Sequence, residues 1–212
     1  MDKSLQIKNL LSRWQSERNY EKFCNDGILI HKEYSKANPK ILFLLKESKA
    51  KFTNIEGPLG PHGDSKVFWR NMKLWTITTA KKFEKQSVDL NSFINEKEKP
   101  NTKIAYINIK KDSTITPIDS QYSEYENIKS YAVSDSEFLK KQIEIINPDV
   151  VFCGGTFCFA NFIFNDLRKI DSNLYIRNND QYWIDFYHPS CRKGYNYTVP
   201  LLSKYLEKIN QY

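Results

Sequence analysis

Four short clusters, each placed straight after an apolar run, hold the side chains of this chain that could do chemistry. Lys46-Glu47-Ser48-Lys49 follows Ile41-Leu42-Phe43-Leu44-Leu45, and Asn108-Ile109-Lys110-Lys111 follows Ile104-Ala105-Tyr106-Ile107. Gly154-Gly155-Thr156 follows Val150-Val151-Phe152-Cys153, and His188-Pro189-Ser190 follows Trp183-Ile184-Asp185-Phe186-Tyr187. A carboxylate can orient or deprotonate water, and an amide both donates and accepts. A glycine pair lets a helix open close to a strand, and an imidazole can hold a developing negative charge. Only three histidines occur in the chain. The proline after His188 pushes it toward extended geometry, so the ring sits on a stiff strand end. Each cluster also has a plain structural reading: a solvated charge for Glu47, a turn cap for Asn108, a tight connection for Gly154-Gly155, and a solvent-facing loop histidine.

The elements that must position these clusters follow from apolar patterning. The four runs are continuous rather than alternating, which suits parallel strands covered on both faces. Helical spacing lies between them, from about Asp64 (the expected N-cap) to Phe83, with Val67, Phe68, Leu74 and Trp75 along it. Ser134-Asp135-Ser136-Glu137 reads as a capping box for a helix that stops before Pro148. Another helix is expected from Thr156, and a last one with Thr198 as N-cap and Pro200 just inside. Asn178-Asn179-Asp180 reads as the turn of a small hairpin ahead of the His188 strand. The stretches 84–102 and 112–130 are polar and read as loops or loose helices. The expected fold is α/β: a three-layer α/β/α sandwich on a central, mainly parallel four-stranded sheet. It forms one domain over residues 1–212, with 1–38 as a helical extension packed on it. In such sheets ligands bind outside the carboxyl ends of the strands, where all four clusters fall.

Composition narrows the classes. With 13 Tyr, 13 Phe and 4 Trp in 212 residues, the chain is neither disordered nor of low complexity. Lys and Arg number 32 against 25 Asp and Glu, a net +7 that suits a polyanionic partner. Cys24, Cys153, Cys158 and Cys191 are too scattered for a disulfide framework or a tetrahedral metal site, so neither metal nor cofactor is expected. No segment reaches membrane-spanning length and no leader-like apolar stretch opens the chain, which reads as a cytoplasmic monomer with no membrane partner. No phosphate loop or dinucleotide fingerprint is present, which weighs against a small-molecule nucleotide enzyme on the same sheet edge.

In their order and spacing the four clusters resemble the uracil-DNA glycosylase superfamily, nearest in style to its family-four-like members, over residues from about 40 to 206. Leu44-Leu45-Lys46-Glu47-Ser48-Lys49 is similar to the first-strand motif written Gly-Glu-Ala-Pro-Gly. Ile107-Asn108-Ile109-Lys110-Lys111 is similar to Thr-Asn-Val-Val-Lys-Cys, and Asn147 to Thr156 is similar to Pro-x-Val-Val-x-x-Leu-Gly. His188-Pro189-Ser190 matches the His-Pro-Ser motif. The chain departs from the pattern in three places. Lys46 and Lys49 replace a glycine and a proline, the iron–sulfur cysteines are lacking with Lys111 in one of their places, and Ser48 or Glu47 stands where some families carry the water-activating residue.

The resemblance implies an enzyme hydrolysing the N-glycosidic bond of uracil or another modified base in DNA, with a catalytically inactive nucleic-acid-binding protein of the same fold as the alternative. His188 would donate to the carbonyl oxygen of the leaving base, and Glu47 or Ser48 would serve the water. Asn108 would read a base edge, Gly154 and Gly155 would border the pocket, and Phe52 or Phe68 would stack on a base taken out of the helix. Lys46, Lys49, Lys110, Ser190, Arg192 and Lys193 would hold phosphates of single- or double-stranded DNA.

Overall fold

A computed structural model describes residues 2–20, 22–47, 66–89, 103–112 and 121–209. The strands are β1 (Gly27–Ile28), β2 (Ile41–Glu47), β3 (Ile104–Lys110), β4 (Val150–Gly154), β5 (Arg168–Asp171), β6 (Leu174–Arg177) and β7 (Gln181–Phe186). The helices are α1 (Lys3–Arg18), α2 (His31–Tyr34), α3 (Lys66–Phe83), α4 (Gln121–Ser134), α5 (Ser136–Ile146), α6 (Phe157–Ile163) and α7 (Tyr195–Ile209). The fold is α/β, on one mixed sheet of seven strands in the order β1-β3-β2-β4-β7-β6-β5. The expectation of four strands is therefore corrected. β2 pairs in parallel with β3 and β4, and β4 with β7, while β1, β5 and β6 are added antiparallel.

The apolar runs fold as strands because both of their faces are covered. Leu42, Leu44, Ile107, Val151, Cys153 and Trp183 point into one core with Trp14 of α1, Ile128 of α4, Leu139 of α5 and Phe159 of α6. Ile41, Phe43, Leu45, Val150, Phe152, Ile184 and Phe186 point into a second core with Met72 and Trp75 of α3 and Leu202 and Leu206 of α7. Burying a large apolar side chain contributes about 1.5–3 kcal/mol, so these two layers dominate the stability of the sheet. Trp75 Nε1 donates to Thr198 Oγ1 at 3.3 Å, which ties α3 to α7.

Local chemistry sets the connections, and in three places it departs from the sequence reading. Asn178 and Asn179 both adopt positive φ, 54° and 68°, a conformation asparagine tolerates, and they turn the expected β6–β7 hairpin. Asp135, next to the expected capping Ser134, makes no side-chain cap for α5. It is buried and takes hydrogen bonds from Arg18 Nε at 2.6 Å and Tyr20 Oη at 2.9 Å, and Ser134 ends α4 instead. α4 itself occupies part of the stretch read as polar loop. α7 starts at Tyr195, ahead of the expected cap, so Pro200 lies inside it and Thr198 is buried. The expected N-cap Asp64 lies outside the described residues.

Candidate functional site

The strand register brings the predicted clusters to one edge. Leu44 is opposite Cys153, which is opposite Asp185, and Gly154 is opposite Phe186. Glu47 and His188 each lie three residues beyond that row in sequence, on segments that β4 separates. Gly154-Gly155 closes β4 between them. A Cβ on Gly154 would come within 3.0 Å of Leu45 Cδ2 and 3.3 Å of Pro189 Cδ. The absent side chain is thus the seat on which the His-Pro-Ser loop rests. Gly155 has φ +67° with open space around its Cα, so its glycine serves the turn.

His188 is half-buried just past the end of β7, and contacts from its own loop and from α3 fix its place. The Ser190 backbone N–H donates to His188 Nδ1 at 3.1 Å, and the Cys191 N–H donates to the His188 carbonyl at 2.8 Å. The Phe68 ring of α3 lies 5.9 Å from the imidazole centroid, tilted by 43°. Because Nδ1 accepts, the neutral ring carries its proton on Nε2 and acts there as a donor. One turn along α3, the buried Asn71 donates through Nδ2 to Pro189 O at 2.7 Å and to Cys191 O at 3.4 Å, clamping the loop on both sides of Ser190. Sequence reasoning missed Asn71, although its spacing of three from Phe68 puts both on one helix face.

The Glu47 and Asn108 clusters are committed to ion pairs and buried hydrogen bonds. Glu47 is 11% exposed and pairs with Lys110 Nζ at 3.4 Å. Lys110, expected at a phosphate, is 1% exposed and lies 5.4 Å from the Tyr131 ring, so the structure places its charge inside the fold. Lys46 pairs with Glu124 at 3.2 Å and keeps about a third of its side chain in solvent. Asn108, expected to read a base edge, is 3% exposed. Its amide nitrogen donates to Asp26 Oδ2 at 3.1 Å and to Cys24 Sγ at 3.7 Å, and its backbone N–H donates to the same carboxylate at 2.7 Å. Asp26 also pairs with Lys111 and accepts from Gln142 Nε2, and neither Asp26 nor Lys111 has any side-chain exposure. Asn108 therefore has its Oδ1 acceptor left for other partners, whereas its nitrogen is held by the fold.

Ser190, Arg192 and Lys193 are exposed beside the histidine, where phosphate contacts were expected. Lys193 Nζ sits 5.2 Å from the Tyr187 ring and 4.9 Å from that of Tyr197. Ser48, Lys49 and Phe52 lie outside the described residues. Burial pushes the thiol of Cys153 up, away from thiolate chemistry. Among the described residues no His, Cys, Asp or Glu cluster has the arrangement of a metal site, and no helix is long and apolar enough to cross a membrane.

Comparison with known protein families, with curated proteins and with solved structures finds no match.

Proposed function

We propose that this chain is a DNA glycosylase-like enzyme, a cytoplasmic monomer that hydrolyses the N-glycosidic bond of uracil or another modified base. The reading takes the parallel run β3-β2-β4-β7 as the working centre of the sheet, with the site at its carboxyl edge. The observation that supports it most is the hydrogen bond from Ser190 N–H to His188 Nδ1, which makes Nε2 of the neutral ring a donor on a rigid strand end.

In the reaction the bond between the base nitrogen and the sugar's anomeric carbon breaks, and the base departs with the bonding electron pair. Charge then gathers on the base carbonyl oxygen, to which His188 Nε2–H donates. The oxygen of water bonds to the anomeric carbon, and the proton it loses neutralises the base, leaving an abasic site and a free base. Phe68 offers a ring face beside the imidazole for a base taken out of the stack. Asn108 would meet that base through Oδ1 alone, an acceptor for an N–H on the base edge. Glu47 would orient the water, and Arg192 and Lys193 would hold phosphates.

One observation favours the second reading, a nucleic-acid-binding protein without cleavage: the carboxylate of Glu47 is engaged by the buried Lys110. The two readings separate in a base-release assay on single-stranded and duplex oligonucleotides carrying uracil, hypoxanthine or modified pyrimidines. Base release by the wild type, reduced about 10²- to 10³-fold in His188→Ala, is the expected result. Salt-sensitive binding without release would establish the binder, and the absence of both would overturn both readings.

A further inference from the structure

The segment that carries His188 continues into an exposed surface of unusual make-up. Between residues 187 and 197 it holds Tyr187, Tyr195 and Tyr197 together with Arg192 and Lys193, and no acidic residue. Tyr197 is 52% exposed, among the most exposed large hydrophobic side chains described. Its ring stands 6.2 Å from that of Tyr187 at 55°, with the two hydroxyls 3.4 Å apart. Lys193 Nζ lies over both rings, and the guanidinium of Arg70 on α3 lies 6.0 Å from the ring of Tyr195. Tyr197 stands out from the surface, while Tyr187 and Tyr195 are half-buried against the core of Trp75, Phe152 and Phe186.

We propose that Tyr187, Lys193 and Tyr197 form a stacking platform for single-stranded nucleic acid beside the His188 edge. Ring faces at the surface can stack on a base only when that base offers its own open face, which unpaired bases do and bases inside a duplex do not. The ammonium over the rings and the guanidinium of Arg192 supply the positive charge that follows a phosphate backbone. Tyr187 directly precedes His188, so a strand lying on the platform delivers its next nucleotide toward the imidazole. The inference rests on the nucleic-acid part of the reading above and not on base release.

The test uses the whole chain and a fluorescent thymidine oligomer of about twelve nucleotides, which contains no base to be released. Fluorescence anisotropy is expected to show Tyr197→Ala and Tyr187→Ala each binding about tenfold or more weakly, and Tyr197→Phe binding like the wild type. Lys193→Gln is expected to weaken binding and lower the salt slope by about one. A uridine oligomer run alongside distinguishes RNA from DNA as the source of the strand. Circular dichroism of each variant checks that it folds, which the exposure of Tyr197 favours. Equal binding by Tyr197→Ala and wild type, or equal competition by duplex DNA or polyglutamate, would overturn the platform. Base release scored in parallel keeps the two claims apart. A wild type that releases no base but binds through Tyr197 refutes the glycosylase and leaves the platform standing; release without Tyr197-dependent binding does the reverse.

Discussion

The backbone N–H of Ser190 donates to Nδ1 of His188 at 3.1 Å, so a residue two places on in the same loop sets the tautomer of the imidazole. This local bond forms because Pro189 holds the chain in a tight turn while Asn71 grips the carbonyls of Pro189 and Cys191 from α3.

The first prediction concerns that tautomer. Nitrogen-15 correlation spectra of the neutral ring are expected to show His188 protonated at Nε2, and Asn71→Ala is expected to broaden or split the signal as the loop loses its clamp. Base release by Asn71→Ala should fall with it, since Asn71 acts as a positioning residue through the loop. Observation of the Nδ1–H form would remove the donor on which the proposed chemistry depends.

A second prediction separates the two glycines of the β4 turn. Gly154→Ala places a methyl group 3.0 Å from Leu45 Cδ2 and 3.3 Å from Pro189 Cδ, so the His-Pro-Ser loop must shift. Overpacking of this kind costs about 1–3 kcal/mol, and His188 should move with Pro189. Gly155→Ala meets no atom and bears only the left-handed backbone cost, about 1–2 kcal/mol. Urea melts should show both variants destabilised, with base release lost out of proportion to stability in Gly154→Ala alone.

The contrast between these glycines shows what a sequence can and cannot carry. Ile41–Leu45 and Val150–Cys153 are legible as buried strands because a continuous apolar run has few other uses, and the Asn178-Asn179 turn is legible because its backbone chemistry is local. β5 is not, since half of Arg168-Lys169-Ile170-Asp171 is basic and none of it is buried; it exists because β6 offers an edge. α4 is obscured by tyrosines that interrupt its apolar period. His188 and Gly154 announce themselves, but the grip of Asn71 on Pro189 spans 118 residues and that of Asp26 on Asn108 spans 82. Such pairings have no local pattern to betray them.

Asp26 supplies the third prediction. Its carboxylate and the Lys111 ammonium pair with no side-chain exposure on either, and the backbone and amide of Asn108, Gln142 Nε2, the Cys24 thiol and the Trp14 ring lie around them. Removing one member strands the other charge in the core, so Asp26→Ala should cost about 3–5 kcal/mol, a large part of the stability of an ordinary domain. Lys111→Met combined with Asp26→Leu should cost clearly less, because neither charge is then left behind. Chemical denaturation of the two variants decides it. Equal losses would mean that the pair itself, and not the orphaned charge, holds this corner together.

The last prediction turns on Asp185, half-buried on β7 within electrostatic reach of Cys153, Cys158 and Tyr175. Burial raises its carboxyl above the ordinary value of 3.8. An acid whose folded value is raised binds more protons in the native than in the unfolded state, between the two values. Stability from this group is therefore complete below 3.8 and is lost as pH rises through the folded value. Asp171 has the opposite sign: hydrogen bonds from Lys208 and the Ser172 N–H hold it low, so it costs stability as pH falls. Comparing wild type with Asp185→Asn cancels Asp171 and every other common carboxylate. Melting temperatures recorded from about pH 4 to about pH 7 should show the variant gaining on the wild type as pH rises, because the amide never has to be buried as a charge. A difference that stays constant across that range would place the Asp185 carboxylate in solvent and remove burial as the cause of its shift.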